Sequence, residues 1–306
     1  MGNLERFVQD DGRTMRNLLG ITRNPDAFEN ALSTISAGRI AQLELEPDLV
    51  VPTFDRKHLC ALHRHIMQDV FEWAGHMRDE TVTIEGETIG PVKSMAKMGG
   101  QQFDNEKMLK SGFAVLDRIV DVEAARKMDS AGFADHAAQI FTHLNWMHPF
   151  REGNGRVQRA FISQYAEHTG HPLDFQYVTQ GRIYEVSEHS TRGHHGHMRR
   201  LFQEISDPEA VARMRGPYKA FCGVDGFQQT YFAHAHPGQV VQGTMRGKGP
   251  NEFVVQDEDT KQITIAAIAD LPKNAAPGAP VVFTPRTPLG ATRIAPDRSS
   301  GYELGF

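Results

Sequence analysis

With 306 residues, 40% of them hydrophobic and 23% charged, the chain carries enough apolar material for one large or two modest buried cores. A net charge of −5 and a pI near 6.3 supply no global attraction for nucleic acid or an anionic membrane. Cys60 and Cys222 are too few and too far apart for a disulfide framework or a zinc cluster, which suits a reducing compartment.

The N-terminal MGNLERFVQDDGR alternates charges and lacks the apolar segment of a secretory signal. Arg6 stands where a myristoylation pattern requires Ser or Thr. No apolar run reaches the ~20 residues that span a bilayer, so no membrane span is expected. Phe28, Leu32 and Ile35 form a first helical stripe, and Leu59, Leu62, Ile66 and Val70 a second. TVTIEGETI, residues 81–89, instead alternates β-branched residues about Glu85-Gly86 and predicts a short hairpin. It reads either as a connector or as a docking edge for an extended peptide. Ala137, Ile140, Phe141 and Leu144 restore helical spacing. Val157, Phe161 and Tyr165 continue it until Gly170 and Pro172 stop the helix. Met198, Leu201, Phe202 and Ile205 close this half.

Beyond Asp207-Pro208 the period becomes two: Val241-Gly243-Met245, Phe253-Val255 and Ile263-Ile265-Ala267. Turn-rich stretches separate them, and PKNAAPGAP leads into Val281–Phe283. Several short strands punctuated by Gly and Pro predict a small barrel or sandwich. The expected organisation is a helical domain over 1–205 with an N-terminal arm, a linker over 206–216, a β domain over 217–290 and a tail over 291–306.

The densest chemistry lies in HPFREGNGRVQR, residues 148–159. Gly153, Asn154 and Gly155 open a helix, where free backbone N–H groups make a nest for phosphate oxygens. Arg156 and Arg159 are three apart and share a face, suited to bidentate grips on phosphate. Glu152 places a carboxylate at the edge of that cationic nest, where it can hold Mg²⁺ beside polyphosphate. His148 ends the preceding helix and can serve as a general base near neutral pH. Phe150 reads as the apolar peg of the loop. Each residue alone favours an ordinary turn or solvated helix face. The joint pattern HxFx(D/E)GNGRxxR has a chance frequency on the order of one in ten billion per start site.

HPFREGNGRVQR resembles the signature of Fic domains at every specified position. FEWAGHMR, residues 71–78, and the preceding FDRKHLCALHRHIMQDVFEWAG resemble the segment and helix that the family places before a hairpin "flap". The likeness covers roughly residues 14–205. It implies a mostly α Fic (Fido) fold and transfer of AMP from ATP to a hydroxyl on a target protein. It further implies that His148 deprotonates a target Ser, Thr or Tyr and that Glu152 holds Mg²⁺. Gly153, Asn154 and Gly155 would cradle the α- and β-phosphates, and Arg156 and Arg159 would orient the β- and γ-phosphates. The flap, at Thr83, Ile84 and Glu85, would register the target backbone.

Fic enzymes of this type are typically silenced by a helix bearing (S/T)xxxE(G/N). TVTIEG, residues 81–86, spells that pattern inside the hairpin, while residues 163–168 and 299–304 fail at the last position. Control by a separate small antitoxin is therefore expected. A Fic domain followed by an OB-like barrel is similar to the Bartonella effector proteins. The likeness implies residence in the bacterial cytoplasm and then delivery to host cytosol by type IV secretion. In that family a secretion-signal domain follows the barrel; this sequence ends at Phe306 without one, which fits either a trimmed chain or a likeness that does not extend to export. The β segments have few interleaved aromatics and little basic excess, so a spacer or protein-contact role is expected rather than nucleic-acid binding. The three histidines of RGHHGHM, residues 192–198, are expected to start a helix rather than bind metal. Tyr177 and Tyr184 fit either an adenine pocket or core packing. Glu85 and Glu87 make an acidic flap tip, a solvated turn or a lure for a basic target loop. The competing reading from another class is an interaction module that holds nucleotide without turnover; it needs neither His148 nor Glu152.

Overall fold

The computed structural model describes residues 3–92, 106–287 and 303–304. The chain divides into two compact units, residues 1–128 with 139–171, and residues 129–138 with 172–306.

The first unit holds helices α1 (Pro25–Leu45) and α2 (Arg56–Met67) and the hairpin β1 (Val82–Ile84) and β2 (Glu87–Ile89). It continues through α3 (Glu106–Ile119), α4 (Val122–Ala125), the end of α5 (Ser130–Met147) and α6 (Asn154–Thr169). Asn24 caps α1 through the Ala27 amide at 3.1 Å, with Pro25 in the first turn, and Asp55 caps α2 through His58 at 3.0 Å. The expected stripes are core: Leu59, Leu62 and Ile66 of α2 and Val157, Phe161 and Tyr165 of α6 are all buried. Phe54 fills the space beside α6, its ring edge-on to Phe161 at 5.9 Å and to Tyr165 at 5.2 Å. Gly170, at φ +83°, ends α6 as its sequence predicts.

The hairpin forms with the expected register, Val82 opposite Ile89 and Ile84 opposite Glu87. Glu85 and Gly86 both take positive φ, +50° and +79°, the turn that suits the twist of a two-residue hairpin.

The second unit contains α7 (Gln180–Thr191), α8 (Gly196–Ile205), α9 (Pro208–Phe221) and strands β3 (Phe232–His234), β4 (Val241–Lys248), β5 (Glu252–Gln256), β6 (Ile263–Ala267), β7 (Pro280–Phe283) and β8 (Glu303–Leu304). The strands join in the order β3-β6-β5-β4-β7, with β8 also on β4; β3 runs parallel to β6 and the other pairings are antiparallel. Gly243 is required where β4 meets β5, because a Cβ there would lie 2.2 Å from the Gln256 carbonyl oxygen. One apolar cluster gathers Tyr177, Met214, Phe221, Phe227, Phe232, Val254 and Ile265; another gathers Met245, Phe253, Val255 and Val281.

Two features differ from the period-based expectation. The residues read as the 206–216 linker belong mostly to α9, which Asp207 caps through the Glu209 amide at 2.9 Å with Pro208 in the first turn. Strand β3 is buried on both faces and so lacks alternation. The tail expected over 291–306 lies outside the described residues, apart from Glu303–Leu304 in β8.

Candidate active site

The site begins where α5 stops. His148 donates its amide to the Leu144 carbonyl at 3.0 Å and then leaves the helix at φ +45°, a conformation that costs a non-glycine residue on the order of 1 kcal/mol or more. Arg78, fully buried, holds the chain there. Its Nε donates to the His148 carbonyl at 2.8 Å, its Nη2 to Met147 at 3.1 Å, and its backbone N–H to Pro149 at 2.9 Å. One guanidinium thus satisfies two orphan carbonyls at the helix end and fixes the backbone of His148, whose ring is half-buried.

The loop to α6 is closed by Asn154, whose Oδ1 accepts the Phe150 amide at 2.9 Å and whose Nδ2 donates to the Phe150 carbonyl at 2.8 Å. Phe150 is buried as the expected peg and stacks on His63 of α2 with ring centroids 4.1 Å apart. His63 Nδ1 accepts the Gly75 amide at 2.8 Å, so its proton sits on Nε2, which donates to the Glu152 carbonyl at 3.1 Å. Burial pulls the His63 pKa down to about 3, and this imidazole is neutral at physiological pH. Arg151 donates to the carbonyls of Met77 at 2.8 Å and Glu80 at 2.6 Å and lies over the Phe7 ring at 4.5 Å. Burial lowers its pKa to about 10, still far above physiological pH.

Helix α6 opens on Gly153, at φ +80°, where an added Cβ would meet the Met67 terminal methyl at 2.4 Å. The first amide to close the helix is Val157, on the Gly153 carbonyl at 3.1 Å, so those of Asn154, Gly155 and Arg156 stand at the positive end of the helix dipole. Glu152 turns Oε1 to the Gly153 amide at 2.7 Å and lies 3.7 Å from Arg156. Arg159 is half-buried and makes no hydrogen bond or ion pair among the described residues. Burial depresses its pKa, and Arg156 acts in the same direction. This cationic pair beside free amides fits a polyphosphate, the anion that would relieve the repulsion. Glu29 of α1 faces the same place: burial raises its pKa, and the Glu152 charge raises it further while Arg156 opposes. Two carboxylates in electrostatic reach of each other at the edge of an anion nest fit a hard divalent cation.

In the flap, Thr83 is exposed, Ile84 buried and Glu85 exposed. Among the described residues β1 and β2 pair only with each other, leaving strand edges open. The acidic tip is not simply solvated: Arg16 reaches Glu85 and Glu87, both at 2.7 Å, and Arg6 also pairs with Glu87.

Tyr177 packs in the core of the second unit and Tyr184 is exposed. His194, His195 and His197 do start a helix, α8; the His197 ring stacks on His189 at 4.3 Å and accepts a hydrogen bond from Arg200. Among the described residues no cluster of three His, Cys, Asp or Glu side chains is arranged for a metal ion. No helix there is long and apolar enough to cross a membrane. Glu29, His63 and Arg78 escape motif reading because nothing in their spacing ties them to residues 148–159; only folding brings them there.

A model of the Fic/DOC family matches residues 53–166. A protein adenylyltransferase of Bartonella henselae is 29% identical over 295 residues, 91% of this chain and 52% of that protein. The chain therefore spans about half the length of that relative. A probable protein adenylyltransferase Fic of Salmonella typhimurium is 30% identical over 62% of this chain and 86% of its own length. The solved structure of a type IV secretion system effector protein, BepA, superposes with a TM-score of 0.82 at 28% identity, covering 92% of this chain and 96% of that one. The BepC protein of Bartonella tribocorum, solved with AMPPNP, aligns with a TM-score of 0.62 at 27% identity over 66% of this chain and 96% of that one. With the loop, the nest and the flap preceding them all present in its fold, the chain belongs to the Fic/DOC family.

Proposed function

We propose that the chain is a protein adenylyltransferase, moving AMP from ATP to a Ser, Thr or Tyr hydroxyl of a target protein. The observation that carries the reading is Arg159: a half-buried guanidinium with no anionic partner among the described residues, in the second turn of a helix whose free amides directly follow the Asn154-closed loop after His148. Names of relatives that transfer adenylyl groups, and a related structure holding AMPPNP, support the same nucleotide.

In this reading the amides of residues 154–156, with Arg156 and Arg159, bind the phosphates and fix their orientation. His148 accepts the proton of the target hydroxyl. The freed oxygen forms a bond to the α-phosphorus as the bond from that phosphorus to the bridging oxygen of the β-phosphate breaks. AMP stays on the target, pyrophosphate leaves, and the proton remains on His148 until solvent takes it. Arg156 and Arg159 hold the charge that accumulates on the leaving pyrophosphate. Glu152 would hold Mg²⁺, which when bound neutralises phosphate charge. The flap, through the edge at Thr83, Ile84 and Glu85, would align the target as an added strand.

The likeness to a type IV effector supports delivery from a bacterial cytoplasm to a host cell as this chain's setting. TVTIEG lies in the hairpin and not on a helix, which supports control by a separate antitoxin pairing with Arg159. Incubation with α-labelled or γ-labelled ATP and host lysate tests the chemistry. Label transferred from the α position alone, and lost in His148→Ala, is the expected result; transfer from the γ position, or none, overturns it.

A further inference from the structure

A two-residue hairpin turn with both residues at positive φ forms readily at Asn-Gly and poorly at Glu-Gly, because glutamate has no ease in the left-handed region. The flap turn is Glu85-Gly86, with Glu85 at φ +50°, and something outside the hairpin must hold it. A lone two-stranded hairpin is marginal in any case.

That support is the N-terminal arm. Arg16 Nη2 donates to the Ile84 carbonyl at 3.3 Å and to Glu85 at 2.7 Å, while Nη1 donates to Glu87 at 2.7 Å and to the Arg6 carbonyl at 3.2 Å. One guanidinium grips both strands and the turn. Glu72 adds a hydrogen bond from the Glu85 amide at 2.7 Å. The arm is itself anchored: Arg16 donates its amide to the Phe7 carbonyl at 2.9 Å, Val8 bridges Met15, and Phe7 is fully buried. Phe7 stands edge-on to Trp73 at 6.1 Å and beneath the Arg151 guanidinium at 4.5 Å. Arg151 is the residue before Glu152. A continuous chain of contacts thus runs from the flap tip through Arg16 and Phe7 to the loop that opens the phosphate nest.

We propose that Arg16 is a positioning residue that clamps the flap at a fixed register against the nucleotide site, so that the N-terminal arm governs engagement of the protein target and not of ATP. Its guanidinium, together with that of Arg6, also neutralises the acidic tip, so target choice rests on the strand edge and not on attraction of a basic loop to Glu85 and Glu87. The inference rests on the adenylyltransferase reading for its activity arm only.

The test uses the full chain with Arg16→Ala and Arg16→Lys. Hydrogen exchange of the amides of residues 82–89 is expected to rise roughly tenfold in Arg16→Ala, and to be only partly restored by lysine, which cannot grip both strands. Label incorporation from α-labelled ATP is expected to require several-fold more lysate protein for the same rate, with the ATP dependence and direct ATP binding unchanged. Should Arg16→Ala fold poorly, Glu85→Gln with Glu87→Gln removes the same pairs from an exposed turn and is expected to loosen the same amides. Unchanged flap exchange in these variants overturns the proposal, as does a weakened ATP dependence with an unaltered lysate dependence. If the unaltered protein transfers no label, the adenylyltransferase reading falls while the exchange measurement still decides the clamp.

Discussion

Arg78 Nε donates to the His148 carbonyl oxygen across 2.8 Å, and that bond ties the segment before the flap to the residue proposed as general base. Because the same guanidinium also donates to the Met147 carbonyl, its loss frees a histidine held at φ +45° to relax. Arg78→Lys is expected to lower the transfer rate roughly 10²-fold while ATP binding changes little, since a small displacement of a reacting group suffices for that loss. Single-turnover transfer beside ATP titration by calorimetry checks it.

His148→Ala removes the proposed proton acceptor and leaves the nest intact. Transfer is expected to fall by ~10²–10⁴-fold, with ATP affinity within about twofold of the unaltered protein. Quantitative labelling with parallel calorimetry reads both; a variant that still transfers at near-normal rate would remove His148 from the chemistry.

Arg159 combines binding with a stability cost. A half-buried cation without an anionic partner among the described residues disfavours the free protein, so Arg159→Met is expected to raise its unfolding free energy by about 1 kcal/mol. The same change is expected to weaken ATP roughly tenfold or more. Denaturant titration and nucleotide titration on one preparation measure the opposed effects.

Gly153→Ala introduces two penalties: φ +80° for a residue with a Cβ, and that Cβ 2.4 Å from the Met67 methyl. The left-handed backbone alone costs about 1–2 kcal/mol. Adding Met67→Ala removes the clash and not the backbone strain, so the double variant is expected to recover little ATP binding. Recovery to normal binding would show that space at Met67, and not the backbone of the nest, was decisive.

His63 makes stability depend on pH. Its folded pKa of about 3 lies below the usual value of 6.5, so below pH 6.5 the unfolded chain takes up a proton that the folded chain refuses. Stability is complete above about pH 6.5 and lost as pH falls towards 3. Between pH 7 and pH 5 this one residue is expected to remove about 2 kcal/mol. Burial depresses the pKa of His58 as well, adding a drop of the same sign. His63→Gln, which can accept from Gly75 and donate to Glu152, is expected to flatten that slope without abolishing it, as read by urea titrations at pH 5, 6 and 7.

The amino-acid sequence by itself determined α1, α2, α5, α6 and α8, the hairpin at Glu85-Gly86 and most of the later strands, because those follow from periods of 3.6 and 2 and from local capping. It also brought Glu152 to Arg159 together, since they lie within about two helical turns of one another. It did not reveal α9, where an Asp-Pro step starts a helix as readily as it ends one, nor β3, which is buried on both faces and shows no alternation. Only the tertiary structure decided what holds the nest and the flap in place. Arg78 lies 70 positions from His148, His63 lies 89 from Glu152, and Arg16 lies 71 from Glu87. Pairings at such separations leave no periodic trace, because their geometry is set by how helices and loops pack and not by local backbone preference.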